Sequence, residues 1–237
     1  LTFDGTDLSI AADNAKLLLG TGEDASLYYD GTDANIKTDE VAPSDLKLTC
    51  GANKTLELQN SVYDDLPPVP IISAKLGSSA PTLATFIGNI QQYTFDATND
   101  FVIGSTEITH KYEEGTDIEI HVHWATNGSD GTDRGVKWQM EYSVSNGDGS
   151  APFTDAFPAS TTVSADTVIP ASTADRSHII TSIGTITGTT FEVGAYIVWR
   201  FNRIASATAA PAADPFGIAV GFHALQNTIG SRTISAK

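Results

Sequence analysis

Asp117-Ile118-Glu119-Ile120-His121-Val122-His123-Trp124 and Val136-Lys137-Trp138-Gln139-Met140-Glu141-Tyr142-Ser143-Val144 decide the fold class. Successive side chains of an extended chain point to opposite faces. Ile118, Ile120, Val122 and Trp124 therefore share one face of the first stretch, and Asp117, Glu119, His121 and His123 the other. In the second, Val136, Trp138, Met140, Tyr142 and Val144 alternate with Lys137, Gln139, Glu141 and Ser143. Each reads as a half-buried strand. The intervening residues 125–135 are rich in Gly, Asp and Asn, so the two together predict a long hairpin.

Outward from this pair, residues 191–201 place Phe191, Val193, Ala195, Ile197, Trp199 and Phe201 on one face. Tyr196 and Val198 lie on the other, which predicts a strand buried on both sides. Residues 218–225 alternate less cleanly, and weaker strands are expected at 90–95, 101–103 and 178–186. Helical periodicity is nearly absent, while Thr, Val, Ile and aromatic residues punctuated by Gly, Asp and Asn make strand-and-turn composition. Seven or eight strands, with long loops at 146–171 and 205–215, favour a jelly-roll-like β-sandwich over an immunoglobulin-type one. The loops are long and the strands unevenly spaced for the latter.

The N-terminal quarter reads differently. Phe3-Asp4-Gly5-Thr6-Asp7-Leu8-Ser9-Ile10 returns as Tyr29-Asp30-Gly31-Thr32-Asp33-Ala34-Asn35-Ile36. A second echo relates Asp7-Leu8-Ser9-Ile10 and Lys16-Leu17-Leu18-Leu19 to Asp45-Leu46-Lys47-Leu48 and Lys54-Thr55-Leu56-Glu57-Leu58. Each unit is a short strand, a tight Asx-Gly turn and a short strand. Such units need neighbours to bury their apolar side chains. The expected organisation is a repetitive β stalk over 1–62, a proline-rich connector over 63–70 and the sandwich over 71–237. Pro67, Pro68 and Pro70 mark the connector, because prolines do not sit in a central strand.

The bulk numbers narrow the function classes. Hydrophobic residues make up 41% of the 237, enough for a packed core. A net charge of −16 repels phosphate backbones, so no nucleic-acid partner is expected. No apolar run is long enough to insert in a membrane, and no basic-then-apolar N-terminus suggests a signal peptide. The chain starts at Leu1, as a processed chain or part of a longer one would. Cys50 is the single cysteine, which leaves no intramolecular disulfide and suits assembly in a reducing cytoplasm.

Glu119, His121 and His123 form the most chemically suggestive cluster, since alternate strand positions put all three on one face. Imidazoles two residues apart on a strand suit Zn, Fe or Mn. With Gly115 ahead of them, and His223 followed by Asn227, they echo the two cupin motifs. The glutamate that a cupin places after the histidine pair is missing, with Thr126, Asn127 and Gly128 in its place. His121, His123, Glu119 and His223 are therefore metal-ligand candidates whose simpler reading is hydrogen-bonded polar side chains, and no cofactor is expected. Asn127-Gly128-Ser129-Asp130-Gly131-Thr132-Asp133 and Asn146-Gly147-Asp148 offer oxygen atoms for Ca²⁺ but are ordinary turn sequences. No nucleophile elbow or phosphate-binding glycine loop is present, and no carboxylate pair stands out for glycan hydrolysis. Trp124, Trp138 and Trp199 lie on apolar strand faces, where core packing rather than sugar stacking is expected.

Two regions, one N-terminal and one C-terminal, carry a family resemblance. Gly20-Thr21-Gly22-Glu23-Asp24-Ala25-Ser26-Leu27-Tyr28-Tyr29-Asp30-Gly31-Thr32 resembles the short repeats of tailed-phage and prophage fibre proteins. Tyr63-Asp64-Asp65-Leu66, residues 112–124 and Asn227-Thr228-Ile229-Gly230-Ser231-Arg232 resemble phage structural domains. The resemblance implies a non-enzymatic virion protein, commonly a homotrimer: a head or tail fibre, or a capsid decoration (cement) protein, on the particle surface. Its partners would be its own copies and, through the N-terminal segment, other capsid or tail proteins. The alternatives are a receptor-binding module that takes host-surface glycans through loops 146–171 and 205–215, and, more remotely, a cupin-like metal enzyme using His121, His123 and His223.

Overall fold

Strands dominate a computed structural model of the chain, which describes residues 2–3, 8–9, 16–19, 25–29, 31–32, 34–37, 57–148, 151–189 and 191–230. No α-helix occurs among the described residues. The chain divides into two units, Leu1–Gly51 and Ala52–Lys237.

In the first unit β1 (Thr2–Phe3) pairs with β2 (Leu8–Ser9), and β3 (Lys16–Leu19), β4 (Ala25–Tyr29) and β5 (Ala34–Lys37) form a three-stranded antiparallel sheet in that order. Phe3 lies opposite Leu8 and Tyr29 opposite Ala34. These are equivalent positions of the first sequence repeat, so both copies flank their Asp-Gly-Thr-Asp segment in the same register. Gly31 has φ 97°, a conformation that disfavours any residue with a Cβ. Residues 45–48 and 54–56 of the second echo lie outside the described ones, as does Cys50.

The second unit begins with β6 (Glu57–Pro70), a 3-10 turn (Ile71–Ser73) and β7 (Lys75–Leu76). It continues through β8 (Thr82–Ile87), β9 (Ile90–Thr94), β10 (Phe101–Glu107), β11 (Ile118–Ala125) and β12 (Arg134–Ser145). The last strands are β13 (Thr161–Ile169), β14 (His178–Ile186), β15 (Tyr196–Ile204) and β16 (Phe216–Thr228). One sheet runs β13-β12-β15-β10-β7. The other runs β14-β11-β16-β9-β8, with β6 also paired to β16.

Leaving aside the short β7 and the β8–β9 hairpin, the pairings are nested first with last. β6 pairs with β16, β10 with β15, β11 with β14 and β12 with β13, all antiparallel. Alternate pairs fall in opposite sheets. That is a long double strand rolled into two four-stranded sheets, the jelly roll, so the all-β sandwich expected from alternation is the fold.

Three local expectations differ from the structure. The stretches 117–124 and 136–144 are strands but not a hairpin. β11 pairs with β14 and β16, and β12 with β13 and β15. Both apolar faces are wide, so they bury more by facing each other across the core than by lying edge to edge. Trp124 and Trp138 meet there with ring centroids 5.9 Å apart. The stretch 191–201 becomes a strand only from Tyr196, and it is buried on one side, with Tyr196 and Val198 exposed. The supposed loop 146–171 contains β13, an edge strand whose polar Thr161-Thr162-Val163-Ser164-Ala165-Asp166 pattern hid it.

The proline-rich stretch is also part of the sandwich, and the contact boundary falls at Gly51/Ala52. Leu66 pairs with Phe222 and Val69 with Val220, so Pro67 and Pro68 together face Gly221 in a bulge. A bulge leaves backbone groups without ladder partners, which is where prolines are tolerated.

The core lies between the sheets. Trp138 stacks on Phe201 (5.0 Å, 19°) and takes Phe95 edge-on (5.6 Å, 80°). Trp124, Phe222, Ile118, Ile120 and Val122 close it from the other sheet, all fully buried. Each such side chain contributes about 1.5–3 kcal/mol relative to exposure.

Candidate functional site

The inward turn of Ile118, Ile120, Val122 and Trp124 sends Glu119, His121 and His123 to the outer face of the six-stranded sheet. Register brings further groups beside them. Glu119 lies opposite His223 and His121 opposite Gly221 on β16, while on β14 Ile180 faces His123 and His178 faces Ala125. Four of the chain's five histidines therefore form a continuous row, His178, His123, His121, His223. The rings of His123 and His178 are near-parallel, with centroids 5.2 Å and planes 21° apart, and meet edge to edge. His123 Nδ1 and His178 Nε2 are 3.0 Å apart. His121 meets His123 edge-on at 5.0 Å and His223 at 4.2 Å.

His121 is buried although it faces outward. Its ring lies over Gly221, where a Cβ would overlap the imidazole. A glycine at 221 thus makes the slot that holds the ring flat. Glu119 Oε2 stands 3.9 Å from His223 Nδ1, a long and exposed contact that adds little to stability.

The structure brings together all four residues singled out from the sequence and adds His178. Strand alternation marks the first three histidine-face positions, but only cross-strand register reveals that a histidine 55 residues away touches His123. Among the described residues no set of three or more His, Cys, Asp or Glu side chains is grouped to hold a metal ion. The three-histidine centre of the cupin-like alternative is thus not assembled there.

The Asn/Asp-rich loops are occupied otherwise. Asp130 Oδ1 forms an ion pair with Arg134 Nε (3.2 Å), and Oδ2 accepts from the Ala212 amide (3.3 Å). Asp133 Oδ1 accepts the Ala171 N–H at 2.8 Å. Asn127 Oδ1 accepts from Arg176 Nη1 at 2.9 Å, and Asp148 Oδ2 accepts the amides of Thr154 and Asp155. These oxygens latch loops to one another. The three tryptophans are in the core, none more than 2% exposed.

Two other features were not legible in the sequence. Arg203, 2% exposed, donates through Nη1 to Phe95 O (3.0 Å) and Asp214 Oδ1 (2.8 Å). Burial lowers its pKa, and Asp214 opposes that shift. A cleft of 560 Å³ opens between the Pro67–Pro70 end of β6 and β10, lined by Thr106 and Thr109 with Glu107 and His110.

The chain matches no protein-family model and no curated protein.

Proposed function

We propose that this chain is a structural, surface-exposed component of a bacteriophage particle, a homotrimeric fibre or decoration protein with no catalytic role. One observation carries the self-assembly part. In the N-terminal sheet Leu17 lies opposite Leu27, and Leu27 opposite Ile36. Directly opposed residues share a face, so these three form an apolar row, extended by Tyr29. They are 40%, 47%, 60% and 49% exposed. A sheet of four- and five-residue strands with its apolar face in water is marginal alone. Copies of the same chain, packed around an axis, supply the missing layer at no cost in new sequence.

The repeat supports a stalk, the jelly roll supports a particle-surface domain, and the resemblance of residues 20–32 to fibre repeats supports the phage origin. In this reading the N-terminal segment attaches to capsid or tail proteins. Light scattering of the full chain at micromolar concentration is expected to give three times the 25.0 kDa monomer mass. Leu27→Asp with Ile36→Asp is expected to release monomers that keep the sandwich fold. A wild-type monomer sinks the assembly reading. Gold-labelled antibody on purified particles tests the virion reading, and label absent from capsid and tail refutes it.

A further inference from the structure

We propose that the outer face of the five-stranded sheet carries a groove for a neutral saccharide, in which Arg200 and Glu141 grip a sugar hydroxyl beside a floor of Val198, Ile103 and Tyr196. Register lays three rows across β10, β15 and β12: Ile103, Arg200, Glu141; Ser105, Val198, Ser143; and Glu107, Tyr196, Ser145. Directly opposed residues share a face. Here it is the face turned away from the core, because the intervening Ile197 and Trp199 are buried. Residues 155–160 cross the outside of β12 and wall the groove. Ser145 Oγ donates to Asp155 O (3.1 Å) and Ser143 Oγ to Pro158 O (2.8 Å). The space over Val198, bounded by Ile103, Ser143, Ser160, Glu141 and Arg200, is 410 Å³. Small-ligand sites measure about 300–1,000 Å³.

Two charged groups stand at one end of the groove without closing on each other. Glu141 Oε1 accepts from Ser160 Oγ at 2.6 Å, and the Arg200 guanidinium lies over the Phe101 ring, 4.3 Å from its centroid. Each is thus held by its own neighbour. Arg200 Nη1 and Glu141 Oε2 remain 3.9 Å apart, too far for a hydrogen bond. A hydroxyl oxygen about 2.8 Å from both fits that gap with an angle of about 90° at the oxygen, accepting from the cation and donating to the carboxylate. A group that meets a cation and an anion at once is neutral and is donor and acceptor together, which describes a hydroxyl. Beside it the exposed Val198 and Ile103 offer an apolar surface to ring C–H groups. Tyr196, also exposed, extends that surface and is fixed through its Oη, 3.1 Å from Ser105 Oγ. Hydroxyls at the edge and C–H groups on the face are the chemistry of a saccharide ring. A peptide strand is the poorer occupant, because β15 is paired on both sides and offers no ladder to extend. The charge of −16 disfavours acidic sugars.

The test is ligand-observed NMR on the full chain, with maltose, lactose and mannobiose as neutral probes and sialyllactose as the anionic one. Saturation transfer to the ring C–H protons of at least one neutral probe is expected, with weaker transfer to sialyllactose. Titration then gives the affinity. Glu141→Gln and Arg200→Gln are each expected to weaken it about tenfold, since each removes one charged partner of the hydroxyl. Val198→Asp, on the exposed floor, is expected to abolish the transfer. Lys137→Ala, on the same face of β12 but outside the groove, is expected to leave it unchanged. Circular dichroism of each variant shows that the sandwich is kept. Three results overturn the proposal: no transfer to any neutral probe, an affinity unchanged in both Glu141→Gln and Arg200→Gln, or sialyllactose bound more tightly than lactose. None of them bears on trimer formation or on a place in the particle.

Discussion

Replacing Trp124 and Trp138 by phenylalanine, one at a time, isolates a polar effect inside an apolar core. Both indoles are fully buried and in contact, so the loss of packing is closely similar in the two variants and largely cancels in their comparison. Their N–H groups differ. Trp124 Nε1 donates to Thr181 Oγ1 at 2.9 Å, and Thr181 Oγ1 is also 2.7 Å from Thr167 Oγ1. Trp138 Nε1 has no hydrogen-bond partner among the described residues. Trp124→Phe therefore loses a hydrogen bond, about 0.5–1.5 kcal/mol, while Thr181 keeps its other partner. Trp138→Phe removes a buried donor without an acceptor, which returns about 1–3 kcal/mol against its packing loss. Trp124→Phe is thus expected to be the more destabilising by about 2 kcal/mol or more. Urea unfolding followed by circular dichroism, with equal slopes in the two variants, measures the difference. A Trp138→Phe variant as destabilised as Trp124→Phe, or more so, refutes the reasoning.

Two further substitutions test how the loops are fastened and how acid acts. Gly188 donates its N–H to Asp117 Oδ1 at 3.0 Å, and a Cβ there would overlap the backbone oxygen of Thr116, which also accepts from Tyr112 Oη. Backbone cannot step aside as a flexible side chain can, so Gly188→Ala is expected to cost about 2 kcal/mol or more. A melting temperature within a degree or so of wild type contradicts that. Asp100 is 8% exposed, and burial, aided by the charges of Asp96 and Asp214, raises its pKa. A carboxyl whose folded pKa lies above its unfolded value near 3.9 takes up protons on folding, so its contribution falls as pH rises through the folded pKa. Asp96 has the opposite sign. Hydrogen bonds from the Thr98 and Asn99 amides lower its pKa, and its contribution is lost only as pH falls below the unfolded value. Asp100→Asn is therefore expected to gain stability relative to wild type between about pH 4 and about pH 7. Melting curves with the same difference at both pH values rule this out.

The candidate face was half legible in the sequence. His121, His123 and Glu119 share a face by alternation alone, because the strand period is two and independent of what lies beside the strand. His223 could be named as a companion, but its place opposite Glu119 depends on register. His178 was invisible as a neighbour, since a β-bulge between Ile120 and His121 shifts the β11–β14 register. The slot for His121 depends on Gly221, and a glycine in a strand announces a close approach without saying of what.

By itself the sequence determined the all-β class, the apolar faces of β11 and β12, the inward-facing residues of β15, and the repeat whose two copies pair in the same register. These follow from local chemistry: alternation, turn residues and self-similarity act within ten residues or so. Only the tertiary structure decided that β11 and β12 oppose each other across the core instead of pairing. It also decided that the prolines of β6 lie in a bulge beside β16, and that polar β13 closes an edge. Those outcomes are set by which apolar faces can be buried together, with β6 paired to β16 across most of the chain's length. Pairings of that span depend on the whole core and leave no mark in any single window of sequence.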